Sequence, residues 1–330
     1  MHRPRDGNSY NHRAGLGVLQ STMRATSDVD GDLIPVAGTW DERVQLNPLF
    51  WMAEHARDRD SLLASGVRDF ATIVAGLDSS WLRTANALEV GCGIGRLLRA
   101  AMDSVRTITG TDSSIQALAY AKSIFKGRDT PRLVPCSGMD LCQVKGEFDF
   151  IFSFATLGHL TPHTFVRYVQ DIRARICAGG IARLQVYLGS EVLFAQDDTF
   201  SIRSYEETRF RELCKTIGFS VVAIEGVPLP FDGVDYAHDR CPMIADLRPL
   251  SLQQISPADG VAILCTGCEP LQMEVGSHNE YGVVITRANE LIRHGELEEA
   301  RRFIRFALTH YKAADDETKR ALDMLNSTLD

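Results

Sequence analysis

Residues 87–97, AlaLeuGluValGlyCysGlyIleGlyArgLeu, decide the fold. AlaLeuGluVal is a short apolar run of strand character, and residues 95–105 read as a helix. Between them Gly91, Gly93 and Gly95 form a turn that lets a ligand approach the backbone closely, because no Cβ intervenes. The helix that follows presents free N–H groups to whatever sits there.

The same alternation repeats outward from this turn. ThrIleThrGlyThrAsp (107–112) is strand-like and a helix follows over 113–125; ArgLeuValProCysSer (132–137) is a third short strand. PheAspPheIlePheSerPheAla (148–155) is a continuous apolar run suited to a central strand covered on both faces. A helix over 161–177 leads through Ala178-Gly179-Gly180, read as a C-cap turn, into a strand over 181–188. A helix over 204–217 ends at Gly218, and 219–226 supplies a further strand. The pattern predicts an α/β fold over 85–226: a doubly wound, mainly parallel sheet of the seven-stranded type with helices on both faces.

On either side the character changes. Residues 1–39 are polar and aperiodic and read as a flexible leader. Residues 40–84 carry apolar residues at helical spacing, a helical collar with an N-cap at Asp60-Ser61. Trp40, Phe50 and Trp51 either line a substrate pocket or staple this collar. Residues 227–284 read as an irregular or β insert capping the sheet edge, with GlyValAlaIleLeuCys (260–265) and TyrGlyValValIleThr (281–286) as short strands. Residues 285–330 read as three helices, the first two separated by Gly295. The charged run 296–302 reads as a solvated helix face, and Phe303, Phe306 and Tyr311 as core.

The turn admits two ligand classes, and its spacing chooses between them. A dinucleotide fingerprint wants G-x-G-x-x-G, but here Arg96 stands where the third glycine belongs. Glu89, two residues before the first glycine, would repel a pyrophosphate and suits a cation instead. With that acid, LeuGluValGlyCysGlyIleGlyArg (88–96) closely resembles the first motif of the class I, Rossmann-like S-adenosylmethionine-dependent methyltransferases. The resemblance runs over about residues 85–226. It implies S-adenosylmethionine as cofactor and S-adenosylhomocysteine as product. It also implies cofactor contacts from Glu89, Gly91, Cys92, Gly93, Gly95 and Arg96, and from Asp112, whose carboxylate would accept from both ribose hydroxyls, with Ser113 beside the adenine.

ProCysSerGlyMetAsp (135–140) falls where the family contacts the adenine edge, with Ser137 at the place of the usual acid. Ser137, a backbone carbonyl or Asp140 then takes that role, and Gly138 and Met139 face the ring. Ser153, Phe154 and Ala155 are expected against the methionine portion. His159, just past the fourth strand, is the candidate to take a proton from the acceptor. His163 reads as a surface residue, and Tyr187 and Glu191 as substrate-pocket candidates. Cys92 reads as a small residue filling the turn.

Ala288, Leu291, Gly295, Leu297, Ala300, Phe303, Ala307 and Leu308 resemble one tetratricopeptide helix pair, which as a single copy needs a neighbour to cover it. That neighbour is the main domain, a second copy in a homodimer, or another protein. No metal is expected. His238-x-x-Cys241 with Cys265-x-x-Cys268 has the spacing of a structural zinc site, but the second pair sits in an apolar run where cysteine is a common small hydrophobe.

The chain of 330 residues holds 35 Lys and Arg against 43 Asp and Glu, a net charge of −8 that counts against nucleic acid as partner. No apolar run spans a bilayer, the first residues lack a signal-peptide core, and 8 cysteines are too few for a disulfide scaffold, so the cytoplasm is expected. The sequence therefore predicts a methyltransferase acting on an O, N or C nucleophile of a small-molecule acceptor. The alternatives are a cofactor-binding scaffold acting through its C-terminal helices, a peptide methyltransferase, and an NAD-dependent oxidoreductase.

Overall fold

A computed structural model describes residues 36–53, 56–126, 130–189, 202–226, 240–265 and 280–310, together with residues 323 and 327. The collar comprises α1 (Val36–Leu46), α2 (Pro48–Met52), α3 (Arg59–Val74) and α4 (Ser79–Leu82). The alternating segment supplies β1 (Asn86–Val90), α5 (Arg96–Ala101), β2 (Thr107–Asp112), α6 (Ile115–Ile124), β3 (Arg132–Pro135) and β4 (Phe148–Ser153). Then follow α7 (Pro162–Arg175), β5 (Ile176–Gly189), α8 (Glu207–Ile217), β6 (Phe219–Gly226), β7 (Arg240–Pro249) and α9 (Pro257–Leu264). The chain closes on α10 (Glu280–Arg293) and α11 (Leu297–His310).

The seven strands form one sheet in the order β3-β2-β1-β4-β5-β7-β6. Strands β1 to β5 pair in parallel, and β7 runs antiparallel to both β5 and β6. The doubly wound sheet read from the sequence is therefore present. Its helices cover both faces because the central strands are apolar on both. Leu88, Val90, Ile151 and Leu184 pack with Phe165, Val169, Phe210 and Leu213 on one side. Ala87, Phe150 and Phe152 pack with Phe70, Leu97, Leu98 and Ala121 on the other. Each fully buried phenylalanine contributes roughly 2–3 kcal/mol.

Helix α3 starts at an Asp58 N-cap in a capping box with Ser61, two residues before the expected cap. Its Gly66 lies so close to the Arg96 carbonyl that a Cβ there would collide with it, which lets α3 lie directly on α5. The carboxyl end of α3 is tied to the sheet by Arg183. That side chain donates to the Ile73 and Ala75 carbonyls at 2.8 and 2.6 Å and pairs with Asp246 of β7 at 2.9 Å.

Four local readings are corrected. Residues 240–249 are not an irregular cap but β7, an interior strand; Pro242 and the buried Asp246 hid its pattern, and Asp246 is neutralised by the Arg183 that faces it in register. Residues 260–265 are helical rather than strand, because Ser256 caps the start of α9 and Pro257 occupies its first turn. Residues 281–286 belong to α10, since Val284, Ala288 and Leu291 share one buried face. Residues 178–180 lie in β5, and α7 already ends at Arg175.

Helices α10 and α11 are joined at Gly295, φ 76°, where the expected break falls. The third C-terminal helix, including Tyr311, lies outside the described residues, as does nearly all of the expected leader. Among the described residues no helix is long and apolar enough to cross a membrane.

Candidate functional site

Strand order reverses between β1 and β4, and in open α/β sheets the crevice beyond the carboxyl ends of strands at such a point binds ligands. The pocket here is floored by Glu89, Gly91, Cys92, Gly93 and Arg96, and walled by Asp112, Ser113, Ser114, Cys136, Gly138 and Tyr168. Phe154, Ala155, Thr156, His159 and Leu160, from the segment after β4, form a second wall. Trp40 of α1 with Trp51 and Met52 of α2 roof it.

The glycine turn takes this shape because Gly91, Gly93 and Gly95 all adopt positive φ, 75°, 51° and 85°. At Gly91 a Cβ would strike the Thr156 side chain, so the glycine floor and the second wall meet there. The backbone N–H of Gly93 donates to Asp112 Oδ2 at 2.7 Å, and that of Ser114 donates to Oδ1 at 2.8 Å. A carboxylate has about four acceptor positions. Two backbone donors fix its orientation and leave one position on each oxygen. Burial raises the Asp112 carboxyl above its ordinary range, against the pull of these two N–H groups.

Glu89 is 2% exposed, and its Oε2 has no hydrogen-bond partner. Burial pushes its carboxyl well above the usual range; the Arg96 guanidinium opposes this and the Asp112 charge adds to it. Arg96 is itself paired with Asp69 of α3 and lies over the Phe154 ring at 5.7 Å. Its charge is thus already matched by a carboxylate, and the orphaned Glu89 oxygen calls for a cationic donor. The α-ammonium of an amino acid moiety fits that demand, as a vicinal diol fits Asp112.

Burial also pushes the Cys92 thiol well up, consistent with a space-filling residue, and a Cβ on Gly110 would touch its Sγ at 2.8 Å. Ala155 holds φ 54°, uncommon for a residue with a side chain, and its N–H donates to Gln185 Oε1. His159 meets the Trp40 ring edge-on at 5.7 Å, and its carbonyl accepts from Arg203 Nη1 at 2.9 Å.

Of the residues chosen from sequence, Glu89, Gly91, Cys92, Gly93, Arg96, Asp112, Ser113, Gly138, Phe154 and His159 come together in the pocket. Five do not line it. Gly95 starts α5 against Phe125. Ser137 closes its own turn, accepting from the Met139 and Asp140 N–H groups at 3.1 and 3.2 Å. Met139 follows in that turn, and Asp140 is engaged by Cys142 N–H and Arg167. Ser153 is fully buried and donates to the Val90 carbonyl at 2.8 Å, stitching β4 to β1.

Tyr187 packs against Gly158 instead of lining the pocket, and His163 is half-buried on α7. Glu191, His238 and Cys268 lie outside the described residues; Cys241 stands in β7 and Cys265 caps α9. Among the described residues no three metal-capable side chains are gathered.

Sequence reasoning missed Tyr168, whose hydroxyl lies 3.6 Å from Cys136 Sγ, because α7 reaches this wall only through the tertiary fold. It also missed Met52, Ile94, Thr156 and Asp41. Asp41 accepts from Ser114 Oγ at 2.6 Å and Gln116 N–H at 3.0 Å, seating α1 on the positive end of α6. Trp40 and Trp51 line the pocket, whereas Phe50 packs against Phe303.

Residues 87–180 match the family model of a methyltransferase domain. A phosphoethanolamine N-methyltransferase of Haemonchus contortus, solved with phosphoethanolamine and S-adenosylhomocysteine, superposes at a TM-score of 0.54 and 14% identity. The match covers 72% of this chain and 55% of that one. The [4+2]-cyclase SpnF superposes at a TM-score of 0.50 and 19% identity, over 65% of this chain and 96% of its own. An S-adenosylmethionine-dependent methyltransferase from Clostridium acetobutylicum is similar at a TM-score of 0.45 and 12% identity, over 64% and 100%. No curated protein matches the chain. The family-model match and the two superpositions at a TM-score of 0.50 or above support a doubly wound, Rossmann-like α/β fold, which a protein described as a cyclase also carries.

Proposed function

We propose that the methyltransferase domain binds S-adenosylmethionine and transfers its methyl group to a nucleophile of a small-molecule acceptor. The observation that carries this reading is the orphaned, buried Glu89 oxygen beside the glycine turn. The cofactor, when bound, supplies an electrophilic methyl on a sulfonium.

The chain's own residues do the rest. Glu89 takes the α-ammonium, and Asp112, held open by Gly93 and Ser114, takes the ribose hydroxyls. With Ser137 and Asp140 engaged elsewhere, the backbone near Gly138 is left to meet the adenine edge, between Cys136 and Tyr168. The roof of Trp40, Trp51 and Met52 excludes water and orients the acceptor for in-line attack. His159, at the acceptor end of this roof, receives the proton that the acceptor loses. The net charge of −8 counts against nucleic acid, and the aromatic roof suits a small-molecule acceptor. Six free cysteines among the described residues suit the reducing cytoplasm.

Calorimetric titration with S-adenosylmethionine, S-adenosylhomocysteine and NADH tests the reading. Micromolar binding of the two adenosyl ligands without NADH is expected. Failure of both to bind at millimolar concentration would overturn it.

A further inference from the structure

The roof of the pocket consists of two helices meeting at a short joint, where the last residues of α1, Gln45 and Leu46, pass through Asn47 into α2. Both helices belong to the collar, but the joint is held from the other end of the chain. Arg302 of α11 donates from Nη2 to the Leu46 carbonyl at 2.8 Å and, more weakly, to the Gln45 carbonyl at 3.4 Å. These carbonyls are at the end of α1 and have lost their helical partners. One turn earlier on α11, Glu299 accepts from Asn47 Nδ2, whose Oδ1 caps the start of α2 by accepting from the Leu49 and Phe50 N–H groups.

The grip continues through aromatic contacts. Phe303 meets Phe50 edge-on at 5.2 Å, and Phe306 lies 6.4 Å from Trp51. On the pocket side, the Arg43 guanidinium sits 4.9 Å from the Trp40 ring and 5.7 Å from the Trp51 ring, binding the two roof aromatics together. Residues 296–302 are therefore more than a solvated face: Glu298 and Arg301 pair with each other, while Glu299 and Arg302 reach the joint.

We propose that α11 is a latch for the pocket roof, with Glu299 and Arg302 as positioning residues that hold the α1–α2 joint closed over the ligand. The C-terminal helix pair is then part of the binding machinery, not an independent docking module. A chain in which the joint opens pays for closing it whenever ligand binds, so apparent affinity falls by the closed fraction. The choice of ligand in one arm of the test rests on the methyltransferase reading; the other arm does not.

The experiment compares the full chain with Arg302→Ala, Glu299→Ala, the double variant, Arg302→Lys, and Glu298→Gln as control, since Glu298 is 86% exposed and lies off the joint. Acrylamide quenching of tryptophan fluorescence without ligand reads the roof, which holds two of the 3 tryptophans. Calorimetry with S-adenosylhomocysteine, at a temperature where every variant is folded, reads affinity. Each alanine variant should raise quenching and weaken binding about fivefold, the scale of one lost hydrogen bond. The double variant should weaken it further, Arg302→Lys should recover part, and Glu298→Gln should change neither readout.

A double variant with unchanged quenching and unchanged affinity overturns the latch, and so does one whose melting point falls while both of these readouts stay put. If the unaltered chain takes up no S-adenosylhomocysteine, the methyltransferase reading fails by itself, and quenching alone decides the latch.

Discussion

Asp112 and Gly93, nineteen residues apart, are joined by a hydrogen bond of 2.7 Å from the glycine's N–H to the carboxylate. The bond locks the end of β2 to the turn after β1, so the acid is oriented before any ligand arrives. Asp112→Asn keeps one acceptor but removes the charge and one fixed oxygen. Its affinity for S-adenosylhomocysteine should fall about tenfold or more, the cost of losing a hydrogen bond to a charged group. Calorimetry checks this, and an unchanged dissociation constant would remove Asp112 from the site.

Glu89 should make binding depend on pH. Its carboxyl lies well above the ordinary range because it is buried. An ammonium beside Oε2 favours the ionised form and lowers that value, so binding releases a proton. Affinity should rise with pH up to the raised value of the free protein and level off above it. Glu89→Gln should bind more weakly and flatten the dependence. Titration in buffers of different ionisation enthalpy measures the proton directly, and uptake in place of release would contradict the assignment.

His159 should matter to turnover more than to cofactor binding. Across a panel of phenols, amines and carbon acids, with S-adenosylhomocysteine formation as readout, His159→Ala should lower kcat by about a hundredfold or more on any acceptor that must lose a proton. Its S-adenosylhomocysteine affinity should stay near that of the unaltered chain. Equal kcat values would leave His159 as a partner for Trp40 only.

Asp246 and Arg183 bind β7, β5 and the end of α3 into one unit, and both are buried. Asp246→Ala leaves a buried guanidinium with only the Ile73 and Ala75 carbonyls, at a cost of about 3 kcal/mol. The urea midpoint should drop accordingly. The Arg183→Met, Asp246→Leu double variant should recover part of that loss, because no fully buried lone charge remains and only the partly exposed Arg248, which pairs with Asp246 at 3.2 Å, still lacks its partner.

The floor of the site was legible because its physics is local. A strand end, three glycines that must adopt positive φ, and Glu89 beside them are set within one turn of chain, and Asp112 closes the next strand of the same repeating pattern. Hydrophobic period likewise placed the parallel strands and most of the helices. It failed at β7, where prolines and a buried aspartate break the pattern and the compensating Arg183 lies 63 residues away. It failed again at 260–265 and 281–286, where short apolar runs suit strand and helix alike and capping and packing decide.

Ser137 and Ser153 were chosen as ligand contacts by position, yet each spends its hydroxyl on nearby backbone. Thus the sequence by itself determined the fold class, the glycine turn and the two acids, since propensity, glycine conformation and charge act over a few residues. Only the tertiary structure decided the roof. Trp40, Trp51 and Tyr168 reach the pocket through helix packing, and the joint above it is held by Glu299 and Arg302, more than 250 residues along the chain from their partners. Such contacts depend on burial and hydrogen-bond geometry between distant segments, which no local period records.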